Sequence, residues 1–77
     1  MLDNKLITFL TLARVKNYTK TAEILNLTQP AVSQHIKFLE ETYGIKFIKK
    51  QGKNIFLTEE GEEFLAYAKE ISRQEKI

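Results

Sequence analysis

The segment that decides the fold reads Thr28-Gln29-Pro30-Ala31-Val32-Ser33-Gln34-His35-Ile36-Lys37. At about 100° per residue, Ile36, Leu39 and Tyr43 return to within about 40° of the direction of Val32, so the segment predicts a helix with one buried stripe. The residues that point away from this stripe are Pro30, Ser33, Gln34 and Lys37. Neutral hydrogen-bonding side chains with one cation are a set that reads base edges and touches a phosphate from the major groove of DNA.

Length and composition limit the alternatives. A chain of 77 residues builds one domain with a small core, so docking to a second copy or to a partner would add stability. With no cysteine and one histidine, the chain has no disulfide framework and no ligand set for zinc, and we expect no cofactor. A reducing, cytoplasmic location is therefore the default expectation. The apolar runs are far shorter than the roughly 20 residues that cross a bilayer, and the start lacks a signal-peptide layout.

Charge is distributed unevenly along the chain. Residues 1–58 hold nine Lys/Arg against four Asp/Glu, a balance of +5. Residues 59–77 hold three against six, a balance of −3. The basic part contains the predicted outward-facing helix and the segment after it, where a polyanion would bind, so the acidic tail is expected to have another role.

Before the central segment, the periodicity predicts two helices. The first starts after a cap at Asp3 or Asn4 and ends near Lys16 and Asn17, and the second runs over residues 19–26. The apolar positions of the first helix are Leu2, Leu6, Phe9 or Leu10, and Ala13.

The third helix is predicted to begin after the cap Thr28, with Pro30 in its first turn. It runs to about Thr42 and stops at Gly44.

After Gly44 the period becomes that of a strand, which predicts a small hairpin around a turn at residues 51–54. Its apolar positions are Ile45, Phe47, Ile55 and Leu57, and the polar residues near its tip are Lys49, Lys50, Lys53 and Asn54. A basic two-stranded hairpin beside a helix-turn-helix is typical of a winged helix, whose wing grips the DNA backbone or a minor groove. The fold class is therefore mainly α, with three helices, a two-stranded wing and a long C-terminal helix.

Thr58 is predicted to cap that final helix. Its first turn holds Glu59, Glu60, Glu62 and Glu63, which suit the positive end of the helix dipole. One face of this helix carries apolar or small side chains and extends beyond the rest of the domain. Its members are Phe64 or Leu65, Ala68, and Ile71 or Ser72.

Five short motifs carry a family resemblance. They are Thr21-Ala22-Glu23-x-Leu25, Thr28-Gln29-Pro30-Ala31-Val32-Ser33, Ile36-x-x-Leu39-Glu40, Gly44, and Leu57-Thr58-x-x-Gly61. In order and spacing they resemble the N-terminal winged helix-turn-helix domain of LysR-type bacterial transcriptional regulators. The resemblance covers nearly the whole chain, and the Gln-Pro-Ala-Val-Ser run is its most specific part. It implies sequence-specific binding of double-stranded DNA by a dimer or tetramer.

The resemblance also assigns residues and domains. It places Gln29, Pro30, Ser33, Gln34 and Lys37 on the DNA side of the recognition helix, and the wing residues Lys49, Lys50, Lys53 and Asn54 near the backbone. Residues 1–58 become the DNA-binding domain, and residues 59–77 a linker helix that pairs with its counterpart in a homodimer. The dimer-forming side chains are then expected to be Phe64, Leu65, Ala68 and Ile71.

The chemistry of the side chains selects much the same groups. Gln29 and Gln34 donate and accept together, as the major-groove edge of adenine requires, and we expect these two to read bases. The plainer reading of Gln29 and Ser33 is capping and solvation of a helix start. For Lys37, contact with a phosphate is favoured over contact with a base.

The sequence departs from the family pattern at two places, the entry to the wing and Phe38. Where family members carry Leu-Phe-x-Arg, this chain has Phe47-Ile48-Lys49-Lys50, so an arginine fork is replaced by a point charge. Phe38 lies about 120° from Val32, either against a partner or the wing, or simply exposed. His35 falls at the edge of the buried face and is expected to pack or to bond to backbone, with DNA contact as the lesser alternative.

Family members continue into a C-terminal domain that binds a small-molecule inducer. The present sequence ends where that domain would attach, which favours a fragment over a free-standing short regulator, and no inducer pocket is expected within it.

Two other function classes are weaker. An enzyme is disfavoured because the only histidine lies on the outward-facing helix and capping explains the paired glutamates. A winged helix that docks on protein instead of DNA is the main alternative, and salt dependence separates the two, since binding through several lysines weakens steeply as salt rises.

Overall fold

Four helices and one hairpin follow each other in the predicted order. The computed structural model describes residues 3–75, with the side chains of residues 3–73, so Leu2 lies outside the described residues. None of the helices in this part is long and apolar enough to cross a membrane. The elements are α1 (Asn4–Val15), α2 (Tyr18–Leu25), α3 (Gln29–Tyr43), β1 (Ile48–Gln51), β2 (Asn54–Leu57) and α4 (Glu59–Glu75).

The first three helices begin at side-chain caps. Asp3 accepts a hydrogen bond from the backbone N–H of Lys5 at 2.8 Å, and Thr28 accepts one from Ala31 at 3.2 Å, as the sequence predicts. The predicted start of α2 at Thr19 is one residue late. Asn17 is not the end of the first helix but the cap of the second, because its side chain accepts the N–H of Lys20 at 2.7 Å.

Three residues in left-handed backbone conformation end these helices. Lys16 (φ 55°) ends α1, Asn26 (φ 59°) ends α2, and Gly44 (φ 67°) ends α3. These reversals turn the chain sharply, which is why α1, α2 and α3 pack on one another with short connections.

Three phenylalanine rings join distant parts of the chain in the core. Phe9 of α1, Phe47 before β1 and Phe64 of α4 have ring centroids 4.6–5.3 Å apart. Val32, Ile36 and Leu39 of α3 are buried, as the stripe predicts. Tyr43, predicted on the same stripe, is instead 47% exposed, because it lies in the last turn of α3, where its ring packs at a tilt on Phe64 with centroids 4.8 Å apart.

The hairpin starts later than predicted. Ile45 and Phe47 precede the strand, and the inward-facing residue of β1 is Ile48, which pairs with Leu57. The cause is the end of α3: the N–H of Ile45 returns to the carbonyl of Glu40, so residues 44–47 form a connection. The turn lies at the predicted residues 51–54, with Gly52 at φ 62°, the positive angle that a two-residue hairpin turn requires at its first central residue.

The first half of α4 belongs to the core of the domain. Phe64 and Ala68 are buried there, whereas Leu65, Ile71 and Ser72 are half-buried. The predicted boundary at residue 58 is thus a change of secondary structure and not a boundary of the core. Phe64 and Ala68, which were expected to face a partner, are instead part of the core of this chain.

Candidate nucleic-acid interface

The exposed face of α3 matches the predicted set. Its members alternate with the buried stripe, so their backbone is fixed to the core while their side chains reach solvent. All five are exposed: Gln29, Pro30, Ser33, Gln34 and Lys37. The face therefore presents amide, hydroxyl and ammonium groups from a rigid support.

His35 ties α3 to α1. Its Nδ1 lies 2.8 Å from the hydroxyl of Thr8, and that hydroxyl lies 3.0 Å from the carbonyl of Asn4. The hydroxyl has one proton, so donating it to the carbonyl leaves Nδ1–H as the donor to Thr8. His35 is half-buried, in line with the packing alternative, and its hydrogen bond joins a side chain and not a backbone group.

Phe38 lies on the flank of α3 and is 49% exposed. The ammonium of Lys5 sits 4.7 Å from the centre of its ring. Within this chain the ring therefore lies beside α1 and not beside the wing, and contact with a partner stays a prediction.

The pairing of the strands separates the two adjacent wing lysines. Lys50 pairs with Ile55, which is buried, so Lys50 leaves the hairpin on the side that faces the domain. Lys49 pairs with the exposed Phe56 and leaves on the outer side. The other predicted wing residues, Lys53 in the turn and Asn54 at the start of β2, are also exposed.

A groove of about 500 Å³ separates α3 from the wing. Four lysines and one glutamate line it, so its local field favours an anion. Its polar lining residues are Tyr18, Ser33, Lys37, Glu40, Lys46, Lys49, Lys50 and Thr58.

Glu40 at the floor of this groove fastens the start of the wing to α3. Its Oε2 accepts a hydrogen bond from the N–H of Phe47 at 2.8 Å, and its Oε1 lies 3.9 Å from the ammonium of Lys46. The carboxylate therefore neutralises part of the positive charge and sets the exit direction of the chain.

Thr58 closes the other end of the wing. Its N–H donates to the carbonyl of Phe47 at 2.9 Å, and its hydroxyl donates to the carbonyl of Lys46 and accepts from the N–H of Gly61 at 2.9 Å. A Cβ at Gly61 would lie 2.5 Å from the carbonyl oxygen of Phe47, so α4 can approach this closely only with glycine there. The Leu57-Thr58-x-x-Gly61 motif is thus the hinge between wing and α4.

Tyr18 at the start of α2 lines the groove and was missed by the sequence analysis. It also lines a neighbouring cleft of about 240 Å³, together with Gln29 and Lys53. Burial, and to a lesser degree the negative charge of Glu40, raise the pKa of Tyr18. Tyr18, Glu40 and Lys46 come together only through tertiary contacts, so no local spacing pointed to them as a set.

Comparison with known proteins places this architecture in one family. The family model of bacterial regulatory helix-turn-helix proteins, lysR family, matches residues 4–62. The HTH-type transcriptional regulator CitR of Bacillus subtilis is 48% identical over 61 residues, which cover 79% of this chain and 21% of CitR. This chain therefore corresponds to only about a fifth of the length of such a relative.

Solved structures give the same result. A Vibrio fischeri DarR–DNA complex superposes with a TM-score of 0.88 at 39% identity, over 99% of this chain and 26% of DarR. A complex of the BenM DBD with catB site 1 DNA gives a TM-score of 0.90 at 29% identity, over 99% of this chain and 82% of that chain. Both neighbours were solved on DNA.

Proposed function

Because the chain belongs to the lysR family of bacterial regulatory helix-turn-helix proteins, we propose that it is the part of a transcriptional regulator that binds double-stranded DNA in a sequence-specific manner. One observation carries the proposal: the exposed amide face of α3 borders a groove lined by four lysines. Similar chains solved on DNA support it. Such a regulator acts where the chromosome is, in the bacterial cytoplasm.

Each group has a proposed role. Gln29 and Gln34 read base edges with paired donor and acceptor groups, Ser33 adds an adaptable hydroxyl, and Lys37 meets a phosphate. Pro30 lies among them in the first turn of α3.

The wing supplies charge rather than base recognition. Lys49, Lys50, Lys53 and Asn54 lie toward the DNA backbone, where ammonium groups neutralise phosphates without regard to sequence. Lysine in place of an arginine fork keeps this charge and gives up bidentate geometry.

A homodimer through α4 completes the proposal. With Phe64 and Ala68 buried, the side chains left for a partner are the half-buried Leu65 and Ile71 and the exposed Tyr67. Two recognition helices would then enter major grooves about 34 Å apart, or a multiple of that distance. Sedimentation of wild type and Ile71→Glu tests the pairing: we expect a dimer and a folded monomer, respectively, and an unchanged dimer would contradict it.

The DNA-binding proposal is tested by salt. A fluorescently labelled 30-base-pair duplex of mixed sequence is titrated with wild type, with Lys49→Ala and with Lys69→Ala, whose lysine lies on α4 outside the groove. We expect the affinity of wild type to fall steeply as salt rises, and the log–log slope to shrink by about one for Lys49→Ala alone. Absence of binding, or binding insensitive to salt, would favour a protein-docking module.

A further inference from the structure

Lys50 is held in a way that its neighbour Lys49 is not. Strand pairing places Lys50 on the inner side of the hairpin and Lys49 on the outer side. The ammonium of Lys50 lies 5.4 Å from the ring centre of Tyr18, within the distance at which a cation is attracted to an aromatic face. The ring thus connects the wing to the first residue of α2.

Tyr18 is well placed to act as a fixed support. Asn17 caps the helix directly before it, and the side chain of Tyr18 is half-buried. A phenol at its ordinary pKa of about 10 is protonated at neutral pH, and burial and Glu40 raise the pKa of Tyr18 further, so the ring is uncharged. An uncharged ring holds an ammonium without cancelling its charge, whereas a carboxylate would cancel it.

The carboxylate in the groove is already engaged with other groups. Glu40 accepts the N–H of Phe47 and lies 3.9 Å from Lys46. Among the described residues, no carboxylate lies within 4 Å of the Lys50 ammonium. The groove therefore contains one lysine that is paired with a carboxylate, Lys46, and one that is supported by a ring, Lys50.

We propose that Tyr18 is a positioning residue for DNA binding. Its ring holds the ammonium of Lys50 between the two clefts that both residues line, so that the ammonium is oriented in advance to bind a phosphate. Pre-orientation matters because ordering a long side chain on binding costs affinity. This role of Tyr18 rests on the proposed function, since it concerns the same DNA-binding surface. It adds α2 to the elements that position the wing on DNA.

A double-mutant cycle tests this coupling on the 30-base-pair mixed-sequence duplex. Tyr18→Phe keeps the ring, Tyr18→Leu removes it, and Lys50→Met removes the charge but keeps the stem. We expect Tyr18→Phe to bind within about twofold of wild type and Tyr18→Leu to bind roughly two- to fivefold more weakly. The loss of affinity caused by Tyr18→Leu should vanish when Lys50 is already methionine, and it should persist in the matched Lys49→Met background. An equal Leu effect in both backgrounds, or none in wild type, would overturn the proposal.

A second measurement needs no DNA. In the free chain the ring should shift the NMR signals of the Lys50 Cε protons upfield, in wild type and Tyr18→Phe but not in Tyr18→Leu, while Lys49 stays unshifted in all three. Circular dichroism establishes that the Leu variant is folded. A chain that shows the shift but does not bind the duplex would refute the proposed function, whereas one that binds without coupling would refute only the role of Tyr18.

Discussion

The recognition helix α3 and the wing carry their polar groups on very different supports. The first three turns of α3 are each anchored by one residue of the buried stripe Val32, Ile36 and Leu39. The hairpin is anchored on its inner side by Ile48, Ile55 and Leu57, whereas its turn, residues 51–54, is fully exposed, and hydrogen bonds fix its base. Each support suits a different task, because hydrogen bonds to bases demand accurate angles, whereas attraction between charges changes slowly with distance. A helix packed along its buried stripe suits the reading of bases, and the exposed turn of the hairpin suits contact through charge.

Removing the support that both regions share should have the largest effect. Phe47 connects α3 to the wing, and its ring packs on Phe9 and Phe64. We expect Phe47→Ala to lower the free energy of unfolding by about 3–5 kcal/mol, measured by urea denaturation. Phe56→Ala, on the exposed side of β2, is the control and should cost less than about 1 kcal/mol. Similar losses for both would mean that the shared support is misidentified.

Separating the wing from α4 should have the next largest effect. Gly61→Ala places a methyl group 2.5 Å from the carbonyl oxygen of Phe47, so the hinge must open. We expect a loss of about 1–3 kcal/mol in unfolding free energy. Binding to all duplexes should weaken while the order of sequence preference stays, because α3 is untouched.

The exposed neighbour Glu60→Ala serves as the control for Gly61→Ala. Unchanged stability of Gly61→Ala would show that the hinge tolerates the methyl group.

Substitutions at two exposed residues, Gln29 and Lys49, test whether α3 reads bases while the wing only supplies charge. We expect Gln29→Ala to remove about 1–3 kcal/mol of discrimination between a preferred duplex and a scrambled one, because the paired donor and acceptor are lost. Lys49→Ala should weaken both duplexes alike. Fluorescence anisotropy at fixed salt measures both, and equal weakening of both duplexes by both variants would remove the distinction.

The substitution with the smallest expected effect, Thr21→Val, should increase stability. Thr21 in α2 is fully buried, and its hydroxyl has no hydrogen-bond partner among the described residues. Thr21→Val keeps the branched shape and removes the unpaired group, so we expect about 1 kcal/mol of added stability by urea denaturation. DNA affinity should not change, since the side chain lies inside the domain. A loss of stability would indicate that the hydroxyl has a partner in solution.

Local patterns predicted what local forces determine. The caps Asp3 and Thr28, the stop at Gly44 and the exposed face of α3 follow from hydrogen bonding and periodicity within a few residues. The start of α2 was missed by one residue, because Asn17 suited either the end of one helix or the cap of the next.

Other features depended on contacts between distant segments. Phe64 was expected to face a partner, yet Phe9 and Phe47 surround it, and no spacing on α4 shows this. The site shows the same pattern: the exposed groups of α3 could be selected from the sequence, whereas Tyr18 and Glu40 acquire their positions only when α2, α3 and the wing assemble.

Whether α3 reads the base sequence can be measured by selection from a random pool of duplexes. Wild type and Gln34→Ala are each taken through rounds of selection at moderate salt, with folding checked by circular dichroism. If α3 reads sequence, we expect that wild type enriches a motif with two symmetric half-sites and that Gln34→Ala loses preference at particular positions of each half-site. No enriched motif for a folded wild type, or the same motif at equal strength for Gln34→Ala, would contradict it.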